Sequence, residues 1–211
     1  MQTYVHSLAE THADRRGLRE RKKARLRQQI MLTAVEFFRT RGYAATRVAD
    51  IVQALEISQP TFFRYYPSKD AVLKDALALI FGNLSTRLVE TQEEGLTVEE
   101  TLKAGYGQLA ELVEKEKALT RAIGVSGAAI PWFGGERLGV LRDLITSTLE
   151  YGLERGEIRD DLDLGQASRM FIGMVGHMVF TWASLDDPKY SLREELHSAI
   201  ELFCRGAMPR S

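Results

Sequence analysis

Apolar residues recur along this chain at steps of three and four, the period of a helix buried on one face, and no stretch alternates like a strand for more than a few residues. Leu26, Ile30, Ala34, Phe37 and Phe38 form the first such stripe, and Gly42 stops it as a glycine after a helix should. Thr46 is placed to cap a second helix of about two turns, carrying Val48, Ile51, Val52 and Leu55. Ser58 offers another cap with Pro60 tolerated in the first turn, and Pro67 ends that third helix after Tyr66.

Further along, the pattern predicts helices over 68–91, 98–113, 116–125, 136–154, 164–184 and 192–204, with Asp163 capping the one that starts at Leu164. The glycine-rich stretch "GVSGAAIPWFGG" interrupts the series between the third and fourth of these. "ASRMFIGMVGHMVFTWASL" is apolar nearly all round, which a helix tolerates only when covered on more than one side. One side can face its own domain, and the other calls for a partner. Gly173 and Gly176 would admit a second helix, and Leu196, Ile200 and Phe203 of the last helix repeat at matching spacing. The fold class is therefore all-α.

Charge divides the chain where the helical pattern does. Residues 15–70 hold thirteen Lys/Arg against five Asp/Glu, a net +8, although the whole chain carries only −1. A basic first third and an acidic remainder point to two modules, the first with a polyanionic partner. The single cysteine, Cys204, forms no internal disulfide, no secretory or lipidation signal opens the sequence, and the longest apolar run falls short of a bilayer. The expectation is a cytoplasmic protein with no membrane contact.

Catalytic chemistry finds little footing. His6, His12, His177 and His197 have no metal-like spacing, Cys204 has no neighbouring base, and no glycine-rich phosphate loop follows a strand. No catalytic residue, metal or cofactor is expected, and His177 reads as a core or interface histidine. A small-molecule enzyme with an accessory basic region and an effector-independent DNA-binding protein are the rival classes; turnover of candidate metabolites, or DNA affinity indifferent to every ligand, would distinguish them.

Two short helices joined by a tight turn behind a longer basic helix are the parts of a helix-turn-helix. "FFRTRGYAATRVADIVQALEISQPTFFRYYPSKDAVLKDAL" resembles the DNA-binding region of TetR-type transcriptional regulators, in its glycine-tyrosine corner, its Thr46 start and its frame of Ser58, Thr61, Phe62, Tyr66, Pro67, Ser68 and Lys69. The resemblance covers about 45 residues; the rest is similar only in helical layout. It implies a helix-turn-helix domain over 19–67 and an effector-binding and dimerisation domain over 68–211, while residues 1–18 lie before the family's usual start and read as a basic, flexible arm.

On a helix starting near Ser58, Phe62 and Tyr66 point together and should be core. That leaves Ser58, Gln59, Pro60, Thr61, Phe63, Arg64 and Tyr65 as the DNA-facing set, with Arg64 the candidate to bond a guanine edge. The resemblance adds phosphate contacts from Lys69 and the Thr46 hydroxyl. Two residues depart from the family's habit: Phe63 stands where a tyrosine is usual, and Glu56 where the turn usually has glycine. The resemblance also implies a homodimer built through the last two helices, a double-stranded palindromic operator, and repression relieved by a small molecule. Its pocket is expected between the helix after Lys69 and the helices around 132–150, with Phe81, Tyr106, Arg121, Trp132, Phe133, Met174 and Trp182 as candidate walls and an apolar or amphipathic effector inside.

Overall fold

The structure, a computed structural model, describes residues 2–125 and 136–208. The chain divides into two compact units, Met1–Val72 and Leu73–Ser211. In the first, α1 (Gln2–Arg41) is followed by α2 (Val48–Ala54), α3 (Gln59–Tyr65) and the opening residues of α4 (Lys69–Glu93). The second holds the rest of α4 with α5 (Val98–Lys115), α6 (Lys117–Val125), α7 (Glu136–Glu154), α8 (Leu164–Ser184) and α9 (Leu192–Ala207). Every described element is helical, so the all-α expectation holds.

In the first unit α2 packs on both α1 and α3 around Ile30, Ala34, Phe38, Ile51, Phe62 and Tyr66, all essentially sealed from solvent. Gly42, at φ 84°, ends α1 with its N–H on the Phe38 carbonyl. The arm expected over residues 1–18 is instead helical from Gln2, continuous with α1. The α2–α3 turn is closed by two bonds, Glu56 N–H to the Gln53 carbonyl and Ile57 N–H to the Val52 carbonyl, at 3.2 and 3.0 Å. This is the Schellman arrangement, and it puts Glu56 at the position that must turn left-handed. Its φ is 53°.

Helix starts in the second unit follow their capping residues. Thr97 and Glu100 cap each other's backbone N–H groups at the head of α5, Asp163 accepts from Gln166 N–H at 2.8 Å, and Ser191 caps α9. Helix α8 packs against α5, α6, α7 and α9, and α9 also lies along α5. Leu88, Leu102, Ile145, Leu149, Phe171, Leu196 and Ile200 form the fully buried centre. Gly105 lets α4 approach α5, because a Cβ there would stand 2.6 Å from Leu88 Cδ2 and 3.0 Å from Leu84 Cδ1.

The last helix departs from the sequence expectation in its rotation. Leu196 and Ile200 face inward, and the Phe203 ring packs 4.9 Å from Phe171, so these three serve the unit's own core. Facing out are Leu202 on α9 and Met170 on α8, 73% and 65% exposed, with Gly173 and His177 also exposed on α8. His177 is therefore no core residue.

Glu56 generates a stability prediction. A side chain in the left-handed region costs about 1–2 kcal/mol that glycine avoids, offset in part by glycine's greater freedom when unfolded. Glu56→Gly should raise stability by about 0.5–1 kcal/mol, seen as a higher urea midpoint with an unchanged slope. A lower midpoint would mean the carboxylate contributes more than the turn costs.

Candidate functional site

Helix α3 has seven residues, too short to hold itself together, and depends on its anchors. The Ser58 hydroxyl accepts from Thr61 N–H at 3.2 Å and caps the start. Phe62 and Tyr66 sink into the unit. Arg27 of α1 donates to the Tyr65 carbonyl at 3.1 Å while its guanidinium lies 4.5 Å above the Tyr66 ring, and the Tyr66 hydroxyl donates to the Arg27 carbonyl at 3.3 Å. Arg27 was not among the residues expected to matter. Its signal in the sequence was a cation on the basic helix at the level of the first buried turn.

What α3 presents outward is Ser58, Gln59, Pro60, Phe63 and Arg64, exposed, with Thr61 and Tyr65 half-buried beside them. Phe63 is 48% exposed, unusual for a phenylalanine, and Arg64 lies 5.4 Å from the Tyr65 ring with no carboxylate among the described residues paired to it. An apolar ring next to an unpaired guanidinium suits a thymine methyl beside a guanine edge in a major groove. Arg47 adds a further exposed cation at the head of α2, where its backbone N–H is held by Asp50 Oδ2 at 2.9 Å. Arg21, Lys22, Lys23 and Arg25 continue the exposed positive charge along α1.

Thr46 and Lys69 do a different job from the one expected. Thr46 is 1% exposed, and its hydroxyl donates to the Gly42 carbonyl at 2.8 Å, so it neither caps α2 nor faces a phosphate. The N-cap is Arg47. Lys69 directs its ammonium to the carbonyls of Tyr43 and Thr46, at 2.8 and 3.1 Å, and lies 4.1 Å from the Tyr43 ring centre. Two of its three donors are thus spent on the α1–α2 loop. The Tyr43 hydroxyl in turn donates to Asp70, and burial together with that carboxylate pushes the Tyr43 phenol well above its ordinary range. Gly42, Tyr43, Thr46, Lys69 and Asp70 make one corner that fixes where Arg47 stands.

The second unit contains an apolar cavity of about 70 Å³. Its wall draws Leu77 and Phe81 from α4, Tyr106, Leu109 and Val113 from α5, Thr120 and Ile123 from α6, Leu141 from α7, and one side of α8. Phe81 and Tyr106, two of the candidate walls, both line this cavity. Met174 packs on the core without lining the cavity, and Trp182 is buried with its indole N–H on the Tyr190 carbonyl at 3.1 Å. Arg121 is spent elsewhere: its guanidinium donates to the carbonyls of Ala183, Ser184 and Leu185 and pairs with Asp186, closing the C-terminus of α8. Trp132 and Phe133 lie outside the described residues.

Known proteins match the chain in two separate stretches. Residues 30–76 match the family of bacterial regulatory proteins called the tetR family, and residues 138–206 match the C-terminal region of YsiA-like proteins. The fatty acid metabolism regulator protein of Bacillus subtilis is 26% identical over 188 residues, 84% of this chain and 93% of that one. A Thermus thermophilus transcriptional repressor, FadR, solved in complex with lauroyl-CoA, superposes with a TM-score of 0.71 at 28% identity, over 88% of this chain and 96% of that one. Bacillus subtilis FadR, solved with stearoyl-CoA, shares the fold at a TM-score of 0.67 and 24% identity, over 85% and 98%.

The two kinds of basic residue should separate by experiment. Arg64→Ala should leave the thermal midpoint unchanged, cost about 1–3 kcal/mol on the preferred duplex and relax selection at one base pair. Lys69→Met should lower the midpoint and weaken every duplex alike, because it loosens the corner that holds α2. Anisotropy titrations over a panel of single-base duplex variants, beside melting curves, would read both; an unchanged Lys69→Met midpoint would contradict the corner's role.

Proposed function

The chain is a transcriptional repressor of the TetR family, and from that premise we propose that it binds a palindromic operator as a homodimer and is released by a fatty acyl thioester of coenzyme A. The family is one of regulators, not enzymes. The observation that carries the effector reading is the cavity: walled almost wholly by aliphatic and aromatic side chains, and held between the helices that also build the core. Similarity to a repressor solved with lauroyl-CoA supports an acyl chain as its occupant.

At about 70 Å³ the cavity is far below the ~300–1,000 Å³ of a filled ligand site. An acyl chain must therefore part the helices that line it. The phosphates of the coenzyme stay outside, since no cation lines the cavity among the described residues. They also avoid the open groove beside Val98, where Glu99, Glu100 and Glu157 would repel them. A neutral apolar molecule without the coenzyme is the second reading, favoured by that same lack of cations. As a DNA-bound repressor it works in the cytoplasm, and no helix among the described residues is long and apolar enough to cross a membrane.

The dimer reading rests on the outer face of α8, where Met170, Gly173, His177 and Thr181 form an exposed stripe at helical spacing, joined by Leu202 of α9. A two-fold axis would bring that stripe against its own copy, and a dimer presents two α3 helices to two half-sites. A Cβ at Gly173 meets nothing within 4 Å, so Gly173→Arg leaves the fold intact.

Two outcomes are expected. Light scattering should give twice the chain mass for the native protein and one chain mass for Gly173→Arg, with operator affinity falling in the variant; an unchanged mass in the variant would remove the α8 stripe from the interface. Dodecanoyl-CoA should dissociate the operator complex at micromolar concentration while coenzyme A alone does not. Release by the free apolar chain analogue but not by the thioester would favour the second reading.

A further inference from the structure

One residue in the cavity wall does not fit a plain hydrocarbon occupant. Tyr106 is 2% exposed, yet no described residue hydrogen-bonds its hydroxyl. The sealed side-chain atoms without a hydrogen bond among the described residues are Thr101 Oγ1, Arg159 Nε, which instead pairs with Asp161, and Glu195 Oε2. The Tyr106 hydroxyl is not one of them, so it meets open volume, and the volume Tyr106 lines is the cavity. Burial pushes the phenol well above its ordinary range, which keeps it a neutral donor throughout the physiological range.

Its position along the cavity is defined by its neighbours. The Tyr106 ring stands edge-on to Phe171 at 5.2 Å, with the Phe203 ring beyond, and the adjacent Gly105 abuts Leu84 and Leu88. That end is closed by packed core. The other hydroxyl in the wall, Thr120, sits on α6, which joins α8 at its far end, where Arg121 bonds the Ala183 carbonyl. Thr120 donates to the Glu116 carbonyl of its own helix at 3.4 Å. The cavity-lining stretch of α8, residues 172–180, spans about 12 Å. A water at Tyr106 alone would have a single polar partner where it needs two to four.

We infer that the effector carries an oxygen on its chain, distal to the thioester, that accepts a hydrogen bond from Tyr106 at the closed end of the cavity. This rests on the acyl-CoA reading and deepens it. The coenzyme's phosphates keep the thioester at the opposite end, so the thioester carbonyl itself is a cavity length away from Tyr106. A saturated chain reaching the closed end leaves the Tyr106 hydroxyl without a partner, whereas a chain oxygen there supplies the missing acceptor, so the site favours the analogue that carries it.

Calorimetry with wild type and Tyr106→Phe tests this, using dodecanoyl-CoA, β-hydroxydodecanoyl-CoA and ω-hydroxydodecanoyl-CoA. Wild type should bind the ω-hydroxy thioester about tenfold more tightly than the plain one, and the variant should level or reverse that order. The β-hydroxy compound, with its oxygen near the thioester, should gain nothing in either protein. No ω preference in wild type, or one that survives in Tyr106→Phe, overturns the inference, and a Tyr106-dependent preference for the β-hydroxy compound overturns the placement at the closed end. If none of the three thioesters binds wild type, the acyl-CoA reading fails and this inference with it. Equal binding of plain and ω-hydroxy chains leaves that reading standing and removes only the hydrogen bond. The wild-type comparison is decisive even if the variant proves unstable.

Discussion

A helix that is apolar on nearly every side has to be covered on nearly every side, and α8 imposes that requirement on the whole second unit. Four helices answer it: α5, α6, α7 and α9 pack against it, and Ala167, Phe171, Ile172, Val175 and Val179 are buried as a result. The cover is incomplete in two places. Beside Ile172, Val175 and Val179 the packing leaves the cavity, and on the opposite face Met170 and Gly173 remain open. Both gaps in one helix's cover are what the proposed effector and the proposed second subunit would fill. Closing either one by apolar contact draws on the same driving force, roughly 25 cal/mol per Å² removed from water.

The first unit is governed by a different limit, shortness. Helices α2 and α3 have seven residues each, below the length at which a helix persists in water, so their order comes from contacts to longer neighbours. That explains why so many polar groups there are spent internally. Lys69, Tyr43, Thr46 and Asp70 fasten the α1–α2 corner, and Arg27 fastens α3 through Tyr65 and Tyr66. Only after those bonds are counted does the exposed set around Phe63 and Arg64 stand out as serving something beyond the protein.

These same bonds mark where the sequence was legible and where it was not. Periodicity and capping chemistry are local, so the starts of α5, α7, α8 and α9 were readable to the residue, as were the Ser58 and Asp163 caps and the burial of Phe62 and Tyr66. Glycine's usual place in the α2–α3 turn foretold the left-handed Glu56. Long-range acceptors are not local. Nothing in the composition around Arg121 reveals that the free carbonyls at the end of α8, more than sixty residues on, will take its donors. Lys69 has the same history with Tyr43 and Thr46, and a lysine free for phosphate looks identical in sequence to one that holds a loop. For α9 the period was right and the phase was not: Leu196 and Leu202 are both apolar, and which one faces in depends on where α5 lies.

The smallness of the cavity sets the terms of any induction. A chain of a dozen carbons makes roughly 9 kcal/mol available on leaving water, at about 0.8 kcal/mol per methylene. Part of that is consumed in moving apart the side chains that line the cavity, Leu77, Phe81 and Ile123 among them, because closely packed interiors lose attraction steeply when contacts open. What remains fixes affinity, but affinity alone releases nothing from DNA. A ligand shifts the balance of conformations only by the difference in its affinity for them, and a cavity that must widen to admit its occupant supplies such a difference where the widened form is the one that leaves the operator. Reciprocity follows, since whatever factor the occupant takes from operator affinity the operator must take from the occupant's, commonly five- to 150-fold in coupled sites. A preformed cavity of full ligand size would bind more tightly and couple less, so the closed apolar interior suits a protein whose task is to respond.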